Sequence, residues 1–372
     1  MSNLLSQVKL SLQRLELLVP DGKNVKDYLA STLEEHIASV SPDTPMGIVP
    51  LSMLSATKIY ASASMAVELI ETPEQLAEKP ESLVDLGIIE WLLRPALLLN
   101  NGLLESPASG PWQQLKPDIV EASAKLVCRI DLCINGYTPI HLGTGFVIGT
   151  NVNEQFTVMT NAHVIDGAKQ YGWPSKDGIN LACDFTQDIT GTNNQLFPLE
   201  NEYDAHPQYD LALVYLSGKQ LEASGVSLVP LKIADKPPDT ILGLEMGVIG
   251  HPSFDSNRDP FPKYFGFGEE FGVKRFSPGL IRNIEKRNWR SQDVEVFLHD
   301  ATTLSGSSGS CILDLKSMNV VGLHFGGWPM QRQRMEIGDK DVVAQLFLAN
   351  GAVPLWTIRN DPFLQQLALL NN

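Results

Sequence analysis

The sequence contains little cysteine, and what it has forms no recognisable framework. None of the four cysteines is separated from another by only two residues; they are Cys128, Cys133, Cys183 and Cys311. A disulfide-stapled secreted module and a zinc module are therefore not expected. Few, scattered thiols are typical of a reducing compartment, so the sequence predicts a cytoplasmic protein.

Basic residues are also scarce relative to acidic ones. The chain carries 28 Lys and Arg against 43 Asp and Glu, a formal net charge of −15. Proteins that bind nucleic acid or anionic membrane surfaces do so through basic patches. We therefore expect neither nucleic acid nor membrane as a partner.

Long apolar runs are lacking as well. The most apolar stretch, 83–104, is interrupted by Asp85, Glu90, Arg94 and Pro95, which makes it a poor membrane span. Residues 1–19 lack a basic region followed by an apolar block and predict an amphipathic helix, not a signal peptide. With 372 residues, 43% of them hydrophobic, the chain has material for two to three globular domains.

The first part of the chain has helical periodicity. Apolar residues recur every three or four positions over 5–19 and 25–37, and further apolar segments cover 51–70 and 82–99, with a break or kink expected at Pro95. This pattern predicts a small all-α domain over residues 1–105. A linker rich in turn residues is predicted over 106–117.

From residue 118 to 372 the pattern changes to short β-branched runs between turn residues. The predicted strands are 125–134, 145–148, 156–160, 211–216, 246–249, 294–298, 311–313 and 320–324. A short helix is expected after Pro362. Many short strands with few helical stretches predict an all-β barrel or sandwich.

Three fragments in this β region contain residues suited to nucleophilic catalysis. His163 lies in Thr-Asn-Ala-His-Val, Asp210 in Tyr-Asp-Leu-Ala-Leu, and Ser308 in Gly-Ser-Ser-Gly-Ser. Each alone has an ordinary explanation: a core histidine, a turn aspartate, a flexible loop. Together they occur in the order His, Asp, Ser at intervals of 47 and 98 residues.

In this order and on this background, the three fragments resemble the chymotrypsin-like serine proteases. The resemblance covers about residues 118–360 and includes Gly143–Val147 and Val248–Pro252, which are similar to family segments. It implies an all-β fold of two six-stranded barrels and a Ser-His-Asp triad.

The resemblance also implies a role for each residue. Ser308 is the nucleophile, His163 the base that accepts its proton, and Asp210 the carboxylate that orients the imidazole. The amides of Gly306 and Ser308 correspond to the oxyanion hole. Such a triad requires no metal and no organic cofactor, so none is expected.

Two departures from the family bear on regulation. The residue before the nucleophile is Ser307, where animal zymogens carry an aspartate that pairs with a new amino terminus, so that activation switch is not expected. Val164 stands where many secreted relatives have a disulfide cysteine, in agreement with a reducing compartment. We expect the helical domain to regulate the protease by docking a protein partner in a bacterial signalling or defence setting.

The specificity pocket is expected around Thr302, Thr303 and His324. Thr302 stands where proteases selective for Arg or Lys carry an aspartate, while Thr303, His324 and Asp300 match glutamyl endopeptidases of the staphylococcal type. Two readings stay open: a pocket for Glu or Asp, or a packed histidine beside a pocket for small or apolar side chains.

Two further features concern the substrate. In the glutamyl endopeptidases, the amino terminus helps to bind the substrate carboxylate. Here a basic side chain would have to replace it, and the candidates are Lys274, Arg275 and Arg282. Gly326 and Gly327 are expected at the strand edge to which a peptide substrate adds.

The sequence favours a serine endopeptidase acting on a protein or peptide. The alternatives are a catalytically silent trypsin-like binding module and an esterase or acyl transferase on the same triad. A silent module has no need to retain His163, Asp210, Ser308 and Gly306 together, whereas an esterase is separable only by its substrates.

Overall fold

The structure is a computed structural model. It describes residues 27, 94–100, 102–104, 112, 115–151, 153–186, 195–219, 228–253, 271–327, 333–337, 340–344 and 350–365. The predicted helices before residue 94 lie outside this range, except for one helical residue, Asp27.

The first barrel is a closed ring of six antiparallel strands. The strands are β3 (Val127–Ile134), β4 (Ile140–Thr150), β5 (Gln155–Thr160), β6 (Ile179–Asp184), β7 (Leu196–Ala205) and β8 (Ala212–Ser217). Their order around the ring is β3-β4-β5-β8-β7-β6. Helix α1 (Pro117–Ala124) precedes the barrel, and helix α2 (Ala162–Gln170) follows β5.

The second barrel is formed by six further antiparallel strands. They are β9 (Glu245–Gly250), β10 (Arg275–Trp289), β11 (Gln292–His299), β12 (Cys311–Asp314), β13 (Val320–Gly327) and β16 (Asn350–Pro354). The order is β11-β16-β13-β12-β9-β10, and pairing of β10 with β11 closes it. A separate hairpin comprises β14 (Gln333–Ile337) and β15 (Lys340–Ala344).

The end of the chain returns to the second barrel through two short helices, α3 (Leu355–Ile358) and α4 (Pro362–Gln365). The prediction of a mainly β region is confirmed, because each of the eight predicted runs overlaps a strand. The short helix expected after Pro362 is also present. No helix within the described ranges is long and apolar enough to span a membrane.

Residues 97–104 differ from the prediction. Leu97–Asn100 forms strand β1 and Leu103–Leu104 forms β2, so the helix expected to continue towards Leu99 is wrong there. Strand β1 adds to the edge of β10, with Leu97 opposite Phe276. A short apolar run fits a buried strand as well as a helix, and here the unpaired edge of β10 supplies the backbone partners.

Apolar side chains of the two barrels meet in a shared core. One cluster of buried residues contains Phe146 and Met159 of the first barrel together with Ile249, Phe276 and Leu323 of the second. Burial of this much apolar area is the main stabilising contribution. The packing fixes the barrels against each other, and the candidate site lies where loops of both meet.

Candidate active site

His163 and Asp210 are held together by two contacts. Asp210 Oδ2 lies 2.6 Å from His163 Nδ1. The other carboxylate oxygen, Oδ1, accepts a hydrogen bond of 3.0 Å from the backbone N–H of His163, in the first turn of α2. Asp210 is buried, whereas 41% of the His163 side chain is exposed. The carboxylate therefore fixes the ring on its Nδ1 side and leaves the opposite side accessible.

The turn that carries Asp210 is organised by His206. The Nδ1 atom of His206 accepts hydrogen bonds from the backbone N–H groups of Gln208 and Tyr209, at 3.0 and 3.1 Å. Burial lowers the pKa of His206, in agreement with a neutral ring that accepts at Nδ1. His206 is itself buried, with 1% of its surface exposed.

Ser308 lies in the loop before β12, against both barrels. Its backbone carbonyl accepts a hydrogen bond of 2.8 Å from the N–H of Thr144 in the first barrel. Its hydroxyl donates to the carbonyl of Phe325 in the second, at 3.3 Å. Within the described part of the chain, no hydrogen bond joins Ser308 Oγ to His163. Phe325 lines the same cavity as His163 and Asp210, so Ser308 is bonded to a residue of that cavity.

Gly306 has the backbone conformation that the predicted oxyanion loop requires. Its φ angle is +84°, and an added Cβ would lie 2.6 Å from the carbonyl oxygen of His251. Glycine is therefore needed both for the angle and for the space. Thr144 Oγ1 donates to the Gly306 carbonyl at 2.8 Å, which fixes the peptide orientation. Neither the Gly306 nor the Ser308 amide is bonded to another described residue, so both remain available as donors.

Of the residues predicted for the specificity pocket, Thr302 and Thr303 follow β11, and His324 lies within β13. Thr302 is buried and donates from Oγ1 to the carbonyl of Arg94 at 2.6 Å, while Thr303 is partly exposed. His324 is buried, and its Nδ1 lies 3.1 Å from Nε2 of His299, a residue that the sequence analysis missed. Burial lowers the pKa of His299 to about 4, so this ring is neutral at physiological pH.

The cations considered as partners for a substrate carboxylate are engaged elsewhere. Lys274 Nζ donates to the carbonyls of Ala124 and Phe185, and Arg275 donates to that of Ala96. Arg282 is bonded to Asp300. Lys274 and Arg275 therefore do not replace the amino terminus that binds the substrate carboxylate in glutamyl endopeptidases. Arg282 can influence the pocket only through its bond to Asp300.

A cavity of about 390 Å³ extends from His163 along the second barrel. Gly326 and Gly327 line it, next to apolar side chains of β11 and β16. Pairing of β12 with β13 ends at Leu323, so no strand among the described residues pairs with Phe325–Gly327 on that side. This geometry matches the predicted edge for an extended peptide.

The tip of the β10–β11 hairpin forms another wall of this cavity and was not predicted. Arg287, Asn288 and Trp289 line the cavity. Beyond them, Arg290 reaches across to α2 and forms an ion pair of 3.2 Å with Asp166. The hairpin therefore bridges the second barrel to the helix that carries His163.

Comparisons with known proteins bear on the class of enzyme. Residues 143–323 match the family model described as the trypsin-like peptidase domain. A probable serine protease of Lysobacter enzymogenes is 27% identical over 265 residues, which are 63% of this chain and 67% of the relative. The protein is a serine endopeptidase, and its residues 143–323 are similar to the trypsin-like peptidase domain.

Solved structures of the Rv3671c protease from M. tuberculosis are also similar. The active form is 19% identical, covers 68% of this chain and 84% of its own, and has a TM-score of 0.41. The inactive form is 19% identical, covers 68% of this chain and 93% of its own, and has a TM-score of 0.39.

Proposed function

We propose that the protein hydrolyses peptide bonds through a triad of Ser308, His163 and Asp210. The observation that carries this proposal is the double contact of Asp210 with the ring and the backbone N–H of His163. It directs Nε2 of the imidazole towards the cleft, the orientation that a general base needs. The silent-module alternative gains no support from this arrangement.

The reaction follows from the proposed roles. Rotation of the Ser308 side chain away from the Phe325 carbonyl brings its Oγ to His163 Nε2, which takes the proton as Oγ attacks the peptide carbonyl. The Gly306 and Ser308 amides receive the developing negative charge. The protonated His163 then passes its proton to the leaving amine, and water releases the acyl group by the same steps in reverse order.

We further propose a preference for Glu, and to a lesser degree Asp, before the cleaved bond. Thr303 and His324 offer hydroxyl and imidazole donors to a carboxylate. The adjoining Asp300 carboxylate is bonded to two guanidinium groups, those of Arg94 and Arg282. Cationic groups beside the proposed pocket favour an acidic substrate side chain over a basic one.

The test is cleavage profiling of a diverse peptide mixture with the wild type, Ser308→Ala and a control, Ser317→Ala, in the β12–β13 turn. We expect cuts after Glu by the wild type and the control, and nearly complete loss in Ser308→Ala, because the triad acts as a unit. Cleavage by Ser308→Ala at the wild-type rate would refute the triad. Cuts after other residues would refute only the pocket.

A parallel assay with a nitrophenyl acetate ester addresses the esterase alternative. A peptidase of this kind is expected to hydrolyse both substrates through Ser308. Turnover of the ester with intact peptides at every site would replace the proposal by an esterase.

A further inference from the structure

A buried ion cluster links the chain before β1 to the wall of the proposed pocket. The Arg94 guanidinium forms two parallel hydrogen bonds of 2.8 Å to Asp300. The two side chains are 2% and 3% exposed. Asp300 also accepts from Arg282 and, at 2.7 Å, from the N–H of Leu280. These contacts hold the pKa of Asp300 well below its usual range, so the carboxylate is charged.

Arg94 contacts the same wall a second time through its backbone. Its carbonyl accepts the Thr302 hydroxyl at 2.6 Å, two residues beyond Asp300. Its guanidinium carbon lies 5.6 Å from the centre of the Trp112 ring, a cation–π arrangement. A single residue therefore holds both ends of the Asp300–Thr302 segment, which leads to Thr303 and the Ser308 loop.

The strand behind this wall leaves it little freedom. A Cβ added at Gly279 of β10 would lie 2.7 Å from both the backbone nitrogen of Ala301 and Asp300 Oδ1. On the other side, Asn350 donates to the Ala301 carbonyl at 2.6 Å. The position of the wall is therefore set by Arg94 on one side and by β10 and Asn350 on the others.

Strand β1, which follows Arg94, is anchored on both sides. Leu97 and Leu98 are in register with β10, and the Leu99 N–H donates to the Lys274 carbonyl at 3.0 Å. Leu99 also pairs with β2, and Leu97 and Leu99 are buried in the core shared by the two barrels. The backbone of Arg94 is therefore held in place by the strand that it precedes.

We propose that Arg94 is a positioning residue for the specificity pocket. Arg94 holds the Asp300–Thr302 wall and thereby Thr303. Without Arg94 in this position, Asp300 loses one of its two cations and Thr302 loses its acceptor. Removing one partner from a buried ion cluster is costly, so the wall rearranges. The proposal rests on the proposed triad and pocket.

The test separates the pocket from the chemistry by using two substrates. A fluorophosphonate reacts with an activated serine and needs the triad and oxyanion hole but no filled pocket, whereas a Glu-containing peptide needs both. The variants are Arg94→Met and Arg94→Lys in the full chain. The control is Arg359→Met, which removes a more exposed arginine–aspartate pair away from the pocket, with 2.6 Å between Arg359 Nη2 and Asp235 Oδ1.

We expect Arg94→Met to lower kcat/KM for the peptide by at least about tenfold and to leave the rate of phosphonylation within about twofold of wild type. For Arg94→Lys, kcat/KM for the peptide should lie between those of the wild type and Arg94→Met, because lysine keeps the charge but not the two parallel hydrogen bonds. The control should match the wild type in both assays. Unchanged peptide cleavage, or an equal loss in both assays, would overturn the proposal.

A second pair of variants covers the case in which Arg94→Met does not fold. Thr302→Val removes only the hydroxyl contact with Arg94, and Thr302→Ser restores it. We expect the peptide-specific loss in the valine variant and recovery in the serine variant, whereas equal activity of the two would contradict the positioning role. If the wild type itself fails to react with the fluorophosphonate, the proposed triad fails instead.

Discussion

At the scale of single residues, Asp210 performs two functions with its two carboxylate oxygens. One accepts from the first turn of α2, and the other binds the His163 ring. Asn161 adds a bond of 2.7 Å from its side-chain amide to the Asp210 carbonyl. The position of the imidazole thus depends on a helix start and on a turn, both of which contact the same carboxylate.

We predict that Asp210→Asn lowers kcat by about 10⁴-fold with little loss of stability. The asparagine oxygen can still accept from the His163 backbone, but its NH₂ group facing Nδ1 favours the tautomer whose Nε2 carries a proton and cannot act as a base. Steady-state kinetics and a thermal melt test this expectation, with Asp204→Asn as control, an exposed aspartate bonded to Tyr215. Activity within tenfold of wild type would rule out the assigned role.

The sequence identified site residues whose motifs are local and missed those defined by distant partners. His163, Asp210 and Ser308 each stand in a short fragment with a recognisable pattern. His299 was missed because its partner lies 25 residues away on another strand. Likewise, the sulfur of Cys128 lies 3.1 Å from that of Cys183, 55 residues later, a contact that local spacing does not signal.

At the scale of elements, the β10–β11 hairpin is the feature that sequence patterns concealed. Strand β10 contains Pro278 and several charged residues, which weaken a strand signal. Its turn residues Arg290 and Ser291 have φ angles of 49° and 67°, a conformation usually signalled by Asn or Gly. The apolar run at 97–99 was predicted as helix although it forms a strand, because the partner of that strand is more than 170 residues away in the sequence.

We predict that the hairpin tip selects substrate side chains upstream of the cleaved bond. Trp289 lines the cavity, and its buried indole N–H has no acceptor among the described residues, so it is available to a substrate oxygen. Trp289→Ala removes apolar contact area for the substrate residues upstream of the cleaved bond. It should raise KM about tenfold for peptides with a bulky apolar residue upstream of that bond, and less for peptides with alanine at the same position.

Arg290→Ala is the matched control for this prediction. It removes the exposed ion pair with Asp166, and such pairs contribute at most about 1 kcal/mol. It also removes the guanidinium that lies 6.0 Å from the centre of the Trp289 ring, but it leaves the Trp289 side chain in the cavity. We therefore expect less than about a fivefold change in kcat/KM. An equal KM change for bulky and alanine peptides in Trp289→Ala would show that the tip shapes the site without selecting side chains.

At the scale of the whole molecule, burial of neutral histidines ties stability to pH. Burial lowers the pKa of His141 to about 3 and that of His299 to about 4. Burial and the nearby charges of Lys274, His141 and Arg129 hold the pKa of His251 well below its usual range. Because the unfolded chain binds these protons near pH 6.5, their contribution to stability is intact above that pH and is lost as the pH falls towards 4.

The free energy of unfolding should therefore decrease on acidification from pH 6.5 to 4, by about 1.4 kcal/mol per pH unit for each histidine that stays neutral when folded. His299→Gln removes one such group while keeping a donor for His324. It should therefore reduce the slope of the unfolding free energy against pH by about the contribution of one histidine. Denaturant unfolding at a series of pH values measures the slope directly. Above pH 7 the two proteins should show parallel curves, because neither state of His299 titrates there. A slope that His299→Gln leaves unchanged between pH 6.5 and 4 would mean that His299 is protonated in the folded protein, and a neutral His299 ring would have to be abandoned.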